Sequence, residues 1–163
     1  MSVSVYVGAP LTMFREAREV QQILREQGFT ITHDWTAELE AGIPEKIGDA
    51  EAAIIAQQCI AGVAKAKFSI FILHPLVETK GAWVELGAAL NANQHCIVLV
   101  PPKLKGGVAI DSYMTEILFS SWFNRAVFIR HPQCHIVDSH TTLQEKLNEI
   151  AAHFRCEKRG KKR

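Results

Sequence analysis

The pattern of hydrophobic and polar positions changes its period along the chain and predicts alternating strands and helices. Residues 2–8 alternate and are rich in β-branched and aromatic side chains, while 67–73 and 96–100 are nearly continuous apolar runs, as central parallel strands are. Between the strands, apolar residues recur at helical spacing. The predicted strands cover residues 2–8, 29–33, 67–73, 96–100 and 135–137. The predicted helices cover residues 11–27, 44–65, 81–91 and 141–154.

Turn residues mark the boundaries of these elements. Gly8-Ala9-Pro10 ends the first strand sharply, Gly28 stops the first helix, and Pro44 suits the first turn of the second helix. Residues 103–130 are the least regular part and include a candidate helix at 112–119. Strands that alternate with helices imply an α/β fold with a parallel sheet, right-handed crossovers and helices on both faces.

The alternation also predicts where a ligand binds. In open parallel sheets, ligands bind beyond the carboxyl ends of the strands, at the point where the strand order reverses. We therefore expect the site to be built from residues 8–12, 33–38 and 74–85.

The composition favours one domain that acts on a small ligand. With 163 residues, 48% of them hydrophobic, the chain is long enough to bury a core, and we expect a domain at 1–155 followed by a disordered basic tail at 156–163. The 18 basic and 17 acidic residues nearly balance, so no strong field favours a nucleic acid polymer or an anionic membrane.

The cysteines and histidines show no metal-binding or disulfide pattern. The four cysteines, Cys59, Cys96, Cys134 and Cys156, form no CxxC pair, and no histidines have the HxxxH spacing of a helical metal site. We therefore expect reduced thiols and no metal. The chain has no apolar run near the roughly 18 residues of a membrane span, and its first residues do not resemble a secretory leader, so we expect a cytoplasmic protein.

Glu85 is the first candidate for chemistry. It lies in the second turn of the helix GAWVELGAAL, after the third strand, and the small residues Gly87, Ala88 and Ala89 would let this helix approach its neighbours closely. The carboxylate could then project into the crevice at the strand ends. The alternative is an ordinary exposed Glu near a helix N-terminus, where the helix dipole favours an anion.

Three motifs resemble the nucleoside 2-deoxyribosyltransferase-like family. They are YxGxP at residues 6–10, HDWT at 33–36 and GxxxELGxA at 81–89, of which the last is the most specific. The strand and helix pattern extends the match over residues 3–154, although 103–130 matches poorly. The resemblance implies a flavodoxin-like three-layer sandwich. It also implies a homo-oligomer, dimeric or higher, for which the aromatic stretch 119–128 is a candidate surface.

The resemblance further implies a reaction. The Glu that matches Glu85 attacks the anomeric carbon of a nucleoside or nucleotide, releases the base and forms a glycosyl-enzyme ester, as in retaining glycosidases. Transfer to a second base would make the protein a deoxyribosyltransferase, and transfer to water would make it an N-glycoside hydrolase. No cofactor is implied.

The group that assists the leaving base departs from the family pattern. Many members carry an Asp at the end of the third strand, where this chain has His74 followed by Pro75. His74 could act as an acid or base, but we favour a hydrogen-bonded loop histidine. Asp34 is our substitute acid, beside Trp35, which could stack on a base. The alternative for Asp34 is a turn residue or helix cap.

The remaining candidates would line the pocket. Gly8 would let the sugar approach the backbone closely, or it could simply form a tight turn, and Tyr6 could be a core aromatic. Thr12 and Arg15 lie at the start of the first helix, where backbone donors and the guanidinium could hold a 5′-phosphate, or Arg15 could be an ordinary surface residue. Together with Trp35 and His74, the substrate-binding candidates are Tyr6, Gly8, Pro10, Thr12, Arg15 and Gly81.

Two other functions stay open. A TIR-like NAD-cleaving domain also uses a strand-end Glu on a related sheet, although residues 81–89 fit that class less well. A nucleotide-binding or sensing module would keep the pocket without turnover, and His74 in place of the expected acid favours this alternative.

Overall fold

Five parallel strands form one sheet in the computed structural model of the protein, which describes residues 2–40, 49–77, 79–101 and 127–160. The strands run in the order β2-β1-β3-β4-β5, and every neighbouring pair is parallel. Their bounds are β1 Ser4–Gly8, β2 Thr30–Ile31, β3 Phe68–Ile72, β4 His95–Leu99 and β5 Cys134–Val137. The predicted parallel sheet is confirmed.

Five α-helices connect or follow these strands in the described ranges. A short 3-10 turn at Leu11–Met13 leads into the first helix, and another at Val127–Arg130 precedes β5. The helices are α1 Phe14–Glu26, α2 Trp35–Glu40, α3 Asp49–Lys65, α4 Gly81–Asn91 and α5 His140–Gly160. None of these helices is long and apolar enough to cross a membrane.

The strand order determines which face each helix covers. From β1 the chain moves to β2 on one side, and it then returns past β1 to β3 and β4 on the other side. Right-handed crossovers therefore place α1 on one face of the sheet and α3 and α4 on the other. Gln27, just after α1, donates a hydrogen bond to Gln144 of α5, so α5 lies on the α1 face. Helices on both faces and the strand order 2-1-3-4-5 are those of a flavodoxin-like fold.

The core is centred on β3, whose five residues are all buried. A strand that is covered by helices on both faces has no solvent side, which explains its continuous apolar sequence. α1 contributes one stripe of buried residues to this core. In α1 the buried residues Ala17, Val20, Gln21 and Leu24 recur at helical spacing, and Gly28 ends the segment with a φ of 81° that favours glycine.

Several bounds differ from the sequence predictions. α2 was not predicted, because it is a single short helix whose apolar face is too brief to show a period. α5 continues to Gly160, six residues beyond its predicted end, so residues 156–160 are helical instead of a disordered tail. Nothing in that stretch before Gly160 is a helix breaker. The predicted helix at 112–119 and the predicted helix start at 44–48 lie outside the described residues.

Gln94 connects the sheet to α3. Its side chain is 7% exposed, and its Oε1 accepts a hydrogen bond from the Ser69 hydroxyl of β3 at 2.9 Å. Its Nε2 donates to two carbonyl oxygens at the end of α3, those of Val63 at 2.7 Å and Ala66 at 3.1 Å. One side chain thereby hydrogen-bonds three buried polar groups, and the loss of such bonds in the interior costs free energy.

We predict that Gln94→Leu lowers the free energy of unfolding by about 2–4 kcal/mol, because it removes all three hydrogen bonds and leaves their partners buried. Urea denaturation measures the change. The matched control is Gln57→Leu on the exposed side of α3, which should change stability by no more than about 0.5 kcal/mol. Equal losses in the two variants would contradict the role of Gln94.

Candidate active site

The carboxyl ends of β1 and β3 form the point at which the strand order reverses. The chain leaves β1 towards α1 on one face and leaves β3 towards α4 on the other. In open parallel sheets, ligands bind at such a point. Gly8 of β1 is paired in register with Phe71 of β3 at this edge. The residues predicted to build the site therefore lie at the edge of the sheet where the strand order reverses.

Glu85 reaches this edge of the sheet from α4. A Cβ placed on Gly8 would lie 2.6 Å from Oε2 of Glu85 and 2.9 Å from Cδ1 of Phe71, so the carboxylate lies directly against the backbone at the end of β1. Only glycine leaves room for this contact. Glu85 points inwards because it shares the inner side of α4 with the buried residues Ala82, Leu86 and Ala89.

Tyr6 and Cys59 complete the surroundings of the Glu85 carboxylate. Tyr6, on β1, has no exposed surface, and α3 crosses over its ring so closely that a Cβ on Gly62 would lie 3.0 Å from Cδ2 of Tyr6. Cys59 precedes Gly62 by one turn of α3 and brings its thiol to the same place. The carboxylate of Glu85 thus contacts a phenol from the sheet and a thiol from the helix above it.

Burial dominates the ionisation of this group. It raises the pKa of Glu85, and hydrogen bonds from Tyr6 and Cys59 only partly oppose that effect. Burial, followed by the nearby charge of Glu85, raises the pKa of Tyr6, which therefore stays protonated. Among the described residues, no partner of the Tyr6 hydroxyl meets the distance and angle of an ordinary hydrogen bond. We take its contact with Glu85 as a long, weak hydrogen bond, because the two groups are buried together.

Asp34 caps a helix. Its Oδ1 accepts hydrogen bonds from the Thr36 hydroxyl at 2.7 Å and from the Ala37 amide at 3.2 Å, at the start of α2, and its Oδ2 pairs with Arg25. Burial alone would raise the pKa of Asp34, but these hydrogen bonds outweigh it and lower the pKa. A carboxylate held in this way is ionised at neutral pH, which favours the capping alternative over a role as an acid.

Trp35 and His74 are also held by the backbone. Trp35 is 7% exposed and donates its indole N–H to the carbonyl of Val7 at 2.7 Å, which fastens α2 to β1. His74 is 2% exposed, and its Nδ1 accepts the Leu76 amide at 3.2 Å. Burial lowers the pKa of His74, so the ring is neutral with its proton on Nε2. This is the hydrogen-bonded loop histidine that we favoured.

The other predicted residues lie around the same edge of the sheet. Pro10 is buried, and its carbonyl accepts the Met13 amide at 2.8 Å to form the turn after β1. Thr12 and Arg15 are exposed on that turn and on α1, with the guanidinium of Arg15 5.7 Å from the centre of the Phe14 ring. Gly81 begins α4 in open space. Substrate contacts of these residues stay predictions.

Two residues of the site were not predicted. Phe71 packs against the Gly8–Glu85 contact from β3, where its apolar neighbours made it resemble any core residue. Cys59 was interpreted only as a reduced thiol. The signal that could have found it is its spacing from Gly62, because a glycine one turn away on the same helix face allows a close approach to the sheet. Among the described residues, no group of three or more metal-binding side chains is present.

Comparison with known proteins gives a distant structural likeness. No protein-family model matches the sequence, and no curated protein matches it. Among solved structures, the fold is similar to that of a CMP N-glycosidase, BcmB, from Clostridium botulinum, with a TM-score of 0.48 and 10% sequence identity over 89% of this chain and 98% of that chain. Membership of the nucleoside 2-deoxyribosyltransferase-like family stays a prediction.

We predict that Glu85→Gln raises the melting temperature at pH 8. A pKa that is raised in the folded protein means that the wild type loses stability as the pH rises through that value, and glutamine removes the buried charge. The difference should therefore shrink as the pH falls below the ordinary pKa of a glutamate, because Glu85 is then protonated in both the folded and the unfolded protein. Melting curves across this range measure it.

The matched control for this prediction is Glu149→Gln. Glu149 is exposed and paired with Lys146 at 2.7 Å, and this hydrogen bond lowers its pKa. Its replacement should not stabilise the protein at any pH. A Glu85→Gln variant that is less stable than the wild type at pH 8 would contradict the prediction. It would show that contacts with neighbouring groups outweigh the cost of burying the ionised carboxylate.

Proposed function

We propose that the protein cleaves or transfers the N-glycosidic bond of a nucleoside or nucleotide, with Glu85 as the nucleophile. The observation that carries this proposal is the position of the Glu85 carboxylate, partly buried against the backbone of Gly8 at the strand-reversal point. Open α/β sheets bind small ligands at that point, and the motifs at residues 6–10, 33–36 and 81–89 resemble a family with this chemistry.

The reaction follows from the properties of a carboxylate in a crevice. One oxygen of Glu85 attacks the anomeric carbon as the bond to the base breaks, through a centre with oxocarbenium character, and forms a glycosyl ester. Water or a second base then attacks the same carbon and releases Glu85. Two inversions retain the configuration of the sugar, and neither step requires a metal or an organic cofactor.

Tyr6 and Cys59 would position the nucleophile. A protonated phenol and a thiol that both face one carboxylate can hold one of its oxygens, which leaves the other oxygen directed at the substrate. Gly8 serves the same purpose by its small size, because the sugar and the carboxylate must share the space beside its Cα. We propose that the ring of the sugar lies over this glycine.

The described residues offer less support for protonation of the leaving base than for attack on the sugar. Asp34, the predicted acid, is ionised and occupied as a helix cap, and Nδ1 of His74 is occupied by the backbone. These two observations favour the second candidate, a nucleotide-binding or sensing module that retains the pocket and does not turn over. The TIR-like alternative gains no support from the described contacts.

We predict release of free base from at least one member of a panel of nucleosides, their 5′-monophosphates and NAD. Chromatography with ultraviolet detection measures the release, with and without a second base as acceptor. Glu85→Gln should lower the rate on the order of 10³-fold or more, because it removes the nucleophile and keeps the shape of the side chain.

The same panel distinguishes the candidates. Binding detected by calorimetry without base release would establish the sensing module. Release of nicotinamide from NAD, with no release from the other compounds, would favour the TIR-like class. Full activity in Glu85→Gln, in protein that melts cooperatively, would exclude Glu85 as the nucleophile.

We predict that Gly8→Ala lowers activity by about 10²-fold or more, because the added methyl group must displace the Glu85 carboxylate by the order of 1 Å. The matched control is Gly87→Ala on α4, where an added Cβ meets nothing within 4 Å and alanine favours the helix. Steady-state kinetics of both variants test this. Unchanged kcat/KM in Gly8→Ala would show that the contact between Gly8 and Glu85 has no role in catalysis.

A further inference from the structure

Cys96 and Cys134 are far apart in the sequence but adjacent in the sheet. They are register partners on β4 and β5, so their side chains leave the same face. Neighbouring strands lie about 4.8 Å apart. This spacing falls within the range of roughly 4.4–6.8 Å between Cα atoms that a disulfide spans.

The two thiols contact each other. A hydrogen bond between them raises the pKa of Cys96, together with burial, and lowers the pKa of Cys134. Each sulfur also lies near a backbone carbonyl on its own side, with Sγ of Cys96 3.7 Å from the oxygen of Gln94 and Sγ of Cys134 3.5 Å from that of Phe128. Both cysteines are reduced in the structure.

The two thiols differ in their access to solvent. Cys96 is fully buried on β4, whereas Cys134 is half-buried on β5, the last strand in the described part of the sheet. An open groove of about 450 Å³ runs along that strand and includes Cys134, Ile129 and Arg130 in its lining. A small oxidant can therefore reach Cys134 first, with Cys96 directly behind it.

We propose that Cys96 and Cys134 form an oxidation site, in which Cys134 reacts with a peroxide or a small disulfide and Cys96 then closes a disulfide between β4 and β5. A partly exposed thiol next to a buried thiol is the arrangement that many thiol redox sites use. In the described part of the sheet β5 pairs with β4 alone, and a small shift of β5 would bring the two sulfurs to bonding distance.

Peroxide oxidises the two thiols to a disulfide in a two-electron reaction. The Cys134 thiolate attacks one peroxide oxygen, the O–O bond breaks, and the products are a sulfenic acid and hydroxide, which takes up a proton. The Cys96 sulfur then attacks the Cys134 sulfur, the S–O bond breaks, and the hydroxyl leaves as water with the Cys96 proton. With oxidised glutathione, the same two attacks release two molecules of glutathione thiol instead.

The test is differential alkylation and mass spectrometry of the native full-length chain after titration with hydrogen peroxide or oxidised glutathione. We expect tryptic peptides 81–103 and 131–146 to become disulfide-linked, and reduction to separate them. The oxidised protein should melt about 5 °C or more above the reduced protein, because the bond constrains the unfolded chain. Cys134→Ser should abolish both effects, and Cys156→Ser should leave both in place.

A second variant tests whether Cys134 is the thiol that reacts first. In Cys96→Ser, Cys134 should accumulate as a sulfenic acid that dimedone traps, or as a mixed disulfide with glutathione. Failure of the linked peptides to form in the native wild type overturns the proposal, as does linkage of Cys96 or Cys134 to Cys59 or Cys156. Linkage that forms equally in denaturant overturns it as well, because the sheet would then have no part in the pairing.

Discussion

The contact between the Glu85 carboxylate and the backbone of Gly8 is the constraint on which the candidate site depends. It requires a residue without a side chain at the end of β1, and it requires α4 to approach β1 and β3 closely. Burial raises the pKa of Glu85, and the described groups that oppose this are a phenol and a thiol, not a cation. A carboxylate in such surroundings costs stability when it ionises. The wholly buried β3 beside it supplies the apolar packing that offsets this cost.

The strand order determines where this contact lies. The other polar residues at the same edge of the sheet hold the neighbouring backbone in position. Trp35 bonds to the carbonyl of Val7, Asp34 caps α2, and Nδ1 of His74 accepts the Leu76 amide. Each of these side chains was a candidate for chemistry, and each has its described hydrogen bonds within the fold. Rigid supports of this kind fix the geometry of a nucleophile more effectively than a mobile loop would. The described edge therefore combines one carboxylate of raised pKa with side chains that hydrogen-bond to the backbone around it.

Sequence reasoning succeeded where a local pattern carries the information and failed where the information lies between elements. The bounds of α4 and the buried character of β3 follow from short-range periodicity, and the position of Glu85 at a strand end follows from the order of the elements. Asp34 could not be assigned, because an Asp after a strand can serve equally as a cap or as an acid until its partners are known. Cys59 was missed because α3 is apolar on most sides, so its pattern does not reveal which face meets the sheet. The pairing of Cys96 with Cys134 depends on register, which the sequence of either strand alone does not define.

The thiol of Cys59 and the pair of Cys96 and Cys134 lie at opposite ends of the sheet, so a reaction of the pair leaves the surroundings of Cys59 unchanged. Cys59 contacts Glu85 above the carboxyl end of β1, whereas Cys96 lies near the amino end of β4 and Cys134 begins β5. In open parallel sheets, ligands bind beyond the carboxyl ends of the strands. A disulfide between β4 and β5 would therefore constrain the unfolded chain and hold β5 in place, without altering the carboxylate at Gly8. The oxidation site and the proposed N-glycosidic chemistry consequently rest on independent parts of the fold, and neither requires the other.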